Sequence, residues 1–288
     1  MRAALLPDRG LISVEGAEAK RFLNGLLTAD IGKVTPDAPR FAALLSPQGK
    51  ILVDCIAIEA PDHGILLDCP KTLAPGLAER LAFYKLRAAV TIEDLSATHG
   101  VVALWDGAAP DLALAYPDPR VPALGARMIV ALDEVPELVR ELKADFVDAA
   151  LYEQHRIALG VPRGGLDFIY GDAFPHEADM DQLNGVDFDK GCYVGQEVVS
   201  RMEHRGHART RIVCVRYEGF APESGIPVLA GEKQIGHLGS TAHGNGLALL
   251  RLDRLAEALA AGVPLTAGGI ALQAVKPRWA NFAFPGEQ

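Results

Sequence analysis

Apolar residues at Ala19, Phe22, Leu23, Leu26 and Leu27 recur at spacings of three and four, which puts them on one face of a helix beginning at Ala17. A short strand over residues 11–14 precedes it and ends at Gly16. Residues 41–45 and 51–58 are β-prone runs joined by Ser46-Pro-Gln-Gly49, whose turn chemistry predicts a β-hairpin. A further strand is expected over residues 64–68. A helix over residues 73–88 follows, its apolar face running through Leu77, Leu81, Tyr84 and Leu86. Strands are expected again over residues 90–92, 101–105 and 127–132, with a Pro, Gly and Ala-rich connection over residues 108–122. A helix over residues 134–143 tolerates Pro136 in its first turn, and Asp145 is placed to cap a second one that stops before Gly160 and Pro162. This alternation predicts an α+β domain with mixed sheets.

The texture changes after Arg209. Short β-prone runs over residues 211–217, 227–230, 234–240, 247–252 and 265–276, separated by Gly, Pro and Asn, predict a small C-terminal antiparallel β-barrel. Two domains are therefore expected, residues 1–207 and 208–288, with the boundary near Arg205 to Arg209. Within the first lies a long stretch without regular pattern, residues 156–190, and such loops in compact domains usually serve function.

Composition narrows the class. The chain has 288 residues, is 49% hydrophobic and carries a formal net charge of −9, which argues against nucleic acid or an anionic membrane as partner. No run of 18 apolar residues is present, and Pro7, Asp8 and Arg9 interrupt any secretory signal, so a cytoplasmic protein is expected. One basic patch stands against the acidic background: Arg201, Arg205, Arg209 and Arg211 with His204 and His207. It reads either as a solvated face or as a seat for an anion.

Of the four cysteines, Cys55 and Cys214 lie in apolar strand-like runs and read as core residues, and no C-x-x-C pair exists. Cys192 differs. It sits in Asp187-Phe-Asp-Lys-Gly-Cys-Tyr-Val-Gly-Gln-Glu197, between a lysine, two glycines and an amide–carboxylate pair. A thiol reacts as thiolate, and both Lys190 and a helix starting just after the motif would favour that form. The bland alternative is a small buried hydrophobe. Lys190 is placed equally to pair with Asp187 or Asp189, Tyr193 to pack beside the helix, and Gln196 and Glu197 to cap its first turn. Cys192, His204 and His207 make no closed ligand set, so no stably bound metal is expected. Asp54 is the other anomaly, a carboxylate inside an apolar strand, either on a wet face or at a functional site.

The run Lys190-Gly-Cys-Tyr-x-Gly-Gln-Glu197, with Asp-Phe-Asp before it and Arg201 after it, resembles the hallmark of the YgfZ-type folate-binding family. That family supports iron–sulfur cluster assembly or repair and is related to the glycine-cleavage T-protein, an aminomethyltransferase. The resemblance covers essentially the whole chain and implies a T-protein-like folate-binding domain followed by the barrel. Asp54 matches the T-protein's catalytic aspartate in a Gly-x-Ile-x-Asp-Asp segment, with Val53 departing from its first aspartate. An Arg-x-Glu-x-Gly segment that holds the pterin is matched by Arg156-Ile-Ala158-Leu-Gly160, so that carboxylate is missing, and Glu177 of Pro175-His176-Glu177 is the candidate to compensate. The implied site has Cys192, Lys190 and Asp54 as reactive groups, with Arg156, Glu177, Tyr193, Gln196, Glu197 and Arg201 toward tetrahydrofolate. Two functions follow from the resemblance: a tetrahydrofolate-binding accessory factor acting with iron–sulfur client or assembly proteins through Cys192, or a one-carbon transferase using Asp54. A protein-binding adaptor is a third.

Overall fold

The structure, a computed structural model, describes residues 1–60, 64–108, 110, 112, 114–204 and 208–286. The chain forms two compact units, Met1–Tyr152 with Leu183–Gln196, and Glu153–Gln182 with Glu197–Gln288.

The first unit is built on two five-stranded sheets. In one, the predicted hairpin forms from Arg40–Leu45 and Ile51–Ala60, paired antiparallel with Ala43 opposite Asp54. Its turn closes through hydrogen bonds from the N–H of Gly49 to the carbonyl of Ser46 and from the N–H of Ser46 to that of Lys50, both 2.8 Å. Gly64–Pro70, Arg9–Glu15 and Thr91–Asp94 complete that sheet. The other sheet runs Asp145–Phe146, Arg2–Leu6, His99–Trp105, Ala126–Ala131 and Ala115–Pro117; its first pair is parallel and the rest antiparallel, so the mixed character expected from sequence is present.

Several local expectations change. The first helix is only Ala19–Asn24 and stops at Gly25, yet Leu26 and Leu27 remain in the core on the following turn, which is why they kept the helical spacing. The second is Ala74–Lys85, and Leu86 leaves it at φ +47° with 88% of its surface exposed, so it is not on the apolar face. Asp145 lies in a short strand, not at a helix start; the capping oxygen belongs to Asp148, whose Oδ1 accepts from the N–H of Ala150 at 2.8 Å before helix Ala149–Ala158. Strand Arg2–Leu6 carries too few residues for its alternation to show.

A buried ionic network joins the two sheets. Asp68, on Gly64–Pro70, accepts from Arg9 Nε at 2.6 Å and from Arg127 Nη1 at 2.6 Å, and Arg127 Nε reaches Asp118 at 2.9 Å. Burial alone would raise the Asp68 carboxyl; the charges and hydrogen bonds of Arg9 and Arg127 overcome it and hold the group below its ordinary value.

The second unit contains a closed six-stranded barrel in the order Thr210–Arg216, Asn245–Arg251, Lys233–Ala242, Pro227–Ala230, Leu265–Ala267, Ile270–Val275. Closure leaves no sheet edge exposed. The single run expected over residues 265–276 is a tight hairpin, because Gly268 and Gly269 turn the chain at φ +57° and +80°. Helix Leu252–Ala260 packs Leu255 and Ala258 into the barrel core. The expected domain boundary involves residues 205–207, which lie outside the described residues; the barrel begins at Thr210. No helix among the described residues is long and apolar enough to cross a membrane.

Candidate functional site

The segment around Cys192 has no regular structure of its own, so its shape comes from what it is fastened to. Thr28 fastens its beginning: Oγ1 donates to the carbonyl of Gly185 at 2.5 Å, and the Thr28 carbonyl accepts from the N–H of Asp187 at 3.0 Å. Lys190 supplies the next anchor. Its Nζ donates to the carbonyls of Asn24, Leu27 and Ala29 at 2.8, 2.6 and 2.7 Å, using all three N–H bonds of the ammonium on the end of helix Ala19–Asn24 and the turn after it. Burial lowers the group to about 8, opposed by the carboxylates of Asp30 and Asp187. The same ammonium lies 5.1 Å from the ring centroid of Tyr193, and burial pushes the Tyr193 hydroxyl up to about 12.

Beyond the cysteine, Gly195 takes φ +81°, and a Cβ there would stand 2.5 Å from the carbonyl oxygen of Ser46 in the hairpin turn. Gln196 then opens helix Gln196–His204; its Oε1 accepts from the N–H of Tyr193 at 2.9 Å, and its Nε2 lies 4.0 Å from Cys192 Sγ. The outcome is an exposed thiol on a short loop clamped at both ends. Cys192 is the accessible cysteine that the sequence suggested. Cys55 and Cys69 are buried, with the Cys69 thiol pushed up to about 12 by burial, and half-buried Cys214 rises to about 11 for the same reason.

Lys190 differs from its expected part. Its donors are committed to three carbonyls, so it holds the thiol's loop in place where activation of the thiol was expected. Gln196 takes the capping alternative. No side-chain pattern advertises Asn24, Leu27 and Ala29 as partners, because they contribute only main-chain oxygens, and sequence reasoning missed them.

Asp54 is 7% exposed, on a strand buried along both faces, so the wet-face alternative falls. Burial opposes the charge of nearby Arg9, and Asp68 chiefly, with a smaller contribution from Asp54, raises Arg9 above its ordinary value. Arg156 is a correction. It is 2% exposed, with Nε on Glu153, Nη1 on the carbonyl of Val161 and on Asp167, and Nη2 on Glu153 and Ser240, so all five N–H bonds are spent inside the protein. Glu177 is another: its Oε2 accepts from the N–H of Phe174 at 2.9 Å and closes a turn. Ala158 ends helix Ala149–Ala158 on an exposed surface. Glu197 and Arg201 pair with one another at 2.7 Å on the exposed face of helix Gln196–His204. The basic patch loses Arg211, which is buried against Asp179 and Asp181, while Arg205 and His207 lie outside the described residues. Within the first unit the structure gathers Lys190, Cys192, Tyr193 and Gln196; Arg156, Glu177, Glu197 and Arg201 belong to the second.

Comparison with known proteins agrees with this architecture. The family described as the CAF17 C-terminal beta-barrel domain matches residues 209–282. The human mitochondrial iron–sulfur cluster assembly factor IBA57 is 33% identical over 95% of this chain and 84% of its own. The mitochondrial IBA57 homolog of Mycosarcoma maydis is 35% identical over 78% of this chain, and the match spans 60% of the fungal protein. The chain thus spans about three fifths of the length of several fungal relatives. Among solved structures, the glycine cleavage system aminomethyltransferase T from Bartonella henselae superposes with a TM-score of 0.74 at 17% identity, covering 96% of this chain and 84% of that one, a likeness of fold. The mitochondrial relatives overturn the cytoplasmic expectation: reduced cysteines and the lack of an apolar span are equally at home inside an organelle.

Proposed function

The chain belongs to the IBA57 family of iron–sulfur cluster assembly factors, and on that premise we propose that it serves iron–sulfur cluster assembly with Cys192 as the residue that touches the cargo. The YgfZ-type likeness of Lys190 to Glu197 is narrowed to this close relative.

One observation carries the reading: Cys192 is exposed, on a loop clamped by Lys190 on one side and Gly195 on the other. Soft thiolate is the ligand that iron–sulfur clusters take, ordinarily four to a cluster. The other three cysteines are buried or half-buried, so this chain offers one thiol and a partner must supply the rest. That stoichiometry favours transient sharing of a cluster with an assembly or client protein over permanent storage. Clamping the loop fixes where the sulfur is presented and lowers the ordering cost when the partner docks.

Tetrahydrofolate is the small molecule the T-protein-like fold suggests as ligand. In this reading it is held without Arg156 or Glu177, whose polar groups are used within the protein. The one-carbon transferase reading through Asp54 is weaker, since that carboxylate is buried.

The test is replacement of the native gene by Cys192→Ala, with iron–sulfur enzyme activities measured in the cells and the amount of folded variant checked alongside. Loss of those activities at normal protein level supports the proposal; normal activities sink it. Calorimetric titration of tetrahydrofolate into the wild type and Cys192→Ala tests the ligand separately, and equal affinity is expected.

A further inference from the structure

Three ligand-type side chains meet in the second unit, two from the turn over residues 175–181 and one from helix Gln196–His204. His176 and Asp181 belong to a tight turn, closed by hydrogen bonds from the N–H of Asp179 to the carbonyl of His176 at 3.2 Å and from the N–H of Met180 to that of Pro175 at 2.9 Å. Glu203 stands on the last turn of helix Gln196–His204. His176 Nε2 lies 3.1 Å from Glu203 Oε2, and one ligand atom from each of His176, Asp181 and Glu203 falls within 4.8 Å of the others. Ligands sharing one ion at bond lengths of about 2.0–2.2 Å stand roughly 3–4 Å apart, so small side-chain adjustments close the set. It is the one such group among the described residues.

The surroundings point the same way. Arg211 grips Asp181 with two hydrogen bonds, Nη1 to Oδ1 at 2.6 Å and Nη2 to Oδ2 at 2.8 Å, and Gln182 Nε2 donates to Oδ2 at 2.9 Å, which orients that carboxylate while leaving Oδ1 a lone pair. Nη1 also reaches Asp179 Oδ1 at 3.2 Å, setting Asp179 against the group. Asp179 is fully buried, and its Oδ2 has no hydrogen-bond partner among the described residues. Two carboxyl groups, of Asp179 and Asp181, thus converge on a single guanidinium, and a buried oxygen of Asp179 is left over. His176 is 2% exposed and closes the inner side, while the Glu203 side chain, 47% exposed, opens to solvent.

We propose that His176, Asp181 and Glu203 bind a divalent first-row cation of the zinc or ferrous class. One imidazole and two carboxylates form a mixed nitrogen and oxygen set that suits such ions, with positions left for water or a further ligand. The site is separate from Cys192 and does not depend on the proposed role of that thiol.

The experiment is titration of the full chain with Zn²⁺ against a chromophoric chelator, repeated anaerobically with Fe²⁺, on wild type, Glu203→Gln, His176→Asn and Cys192→Ser. One equivalent of ion bound by wild type and by Cys192→Ser is expected. Glu203→Gln, on a half-exposed helix end where the fold survives, weakens binding by about 10–100-fold or more, the range seen even for outer-shell changes. The wild type also gains melting temperature with Zn²⁺, and His176→Asn loses that gain whatever its own starting stability. Absence of binding to wild type, binding untouched by Glu203→Gln and His176→Asn, or binding abolished by Cys192→Ser overturns the assignment.

Discussion

The ammonium of Lys190 and the main-chain carbonyl of Leu27 lie 2.6 Å apart across 163 residues of sequence. With the matching bonds to Asn24 and Ala29, this contact fastens the thiol-bearing loop to the end of the first helix. Lys190→Met removes a half-buried cation and leaves three carbonyls without their donor. Hydrogen bonds to charged groups are worth about 1.5–3 kcal/mol each, discounted here for partial exposure, so a loss of about 2–3 kcal/mol is expected. Denaturant unfolding measures it, and Cys192 alkylation should become faster as the loop loosens. Unchanged stability together with an unchanged alkylation rate would show that the clamp does not hold the loop.

Thiol reactivity separates the four cysteines. Brief treatment of the native chain with a maleimide should give one adduct by mass spectrometry, at Cys192, and four after unfolding. Cys192→Ser should give none in the native state. Native labelling at Cys55 or Cys69 would contradict the packing of strands Ile51–Ala60 and Gly64–Pro70.

Gly195 cannot carry a side chain without moving the loop. Gly195→Ala must adopt φ +81°, which costs about 1–2 kcal/mol, and must clear the carbonyl of Ser46 as well. Lower stability with displaced loop resonances in NMR spectra is expected, whereas Gly191→Ala, with nothing near its added methyl, should leave both alone.

The network that joins the two sheets sets an acid limit. Asp68 is held below its ordinary carboxyl value in the folded state, so it contributes stability that is fully present above the unfolded value, near 4, and is lost as pH falls through the folded one. Arg127→Met leaves buried Asp68 with Arg9 alone and buried Asp118 with Arg120 alone, and should cost about 3–5 kcal/mol at neutral pH. Its stability should also vary less between pH 5 and 2 than that of the wild type. Parallel pH profiles for the two proteins would count against Asp68 as the group responsible.

Arg156 tests whether a residue aligned with a ligand site still serves one. Arg156→Met should destabilise the protein by about 3–5 kcal/mol, because buried Asp167 loses its counter-charge and Glu153 keeps only Arg163. Tetrahydrofolate affinity, measured by calorimetry at a temperature where the variant is folded, is expected to stay at the wild-type value. A selective loss of affinity with stability preserved would return Arg156 to the ligand.

Patterns that repeat within a short stretch were determined by the sequence itself. The hairpin of Arg40–Leu45 and Ile51–Ala60, the helix Ala74–Lys85 and the run of barrel strands follow from local periodicity and turn residues, and these dominate where apolar spacing and Gly or Pro punctuation agree. The accessibility of Cys192 was legible too, since glycines and charges around a thiol leave nothing to bury it. Tertiary structure decided whatever depends on partners far away in the chain. Lys190 faces main-chain carbonyls that carry no sequence signal, and Arg156 spends its donors on Val161, Asp167 and Ser240. Asp54 is interior because its strand is covered on both faces, which alternation alone cannot reveal. His176, Asp181 and Glu203 become neighbours only once a turn and a helix end pack together. A polar group's role is fixed by which donors and acceptors reach it after folding, and residue type and spacing specify only what it is able to do.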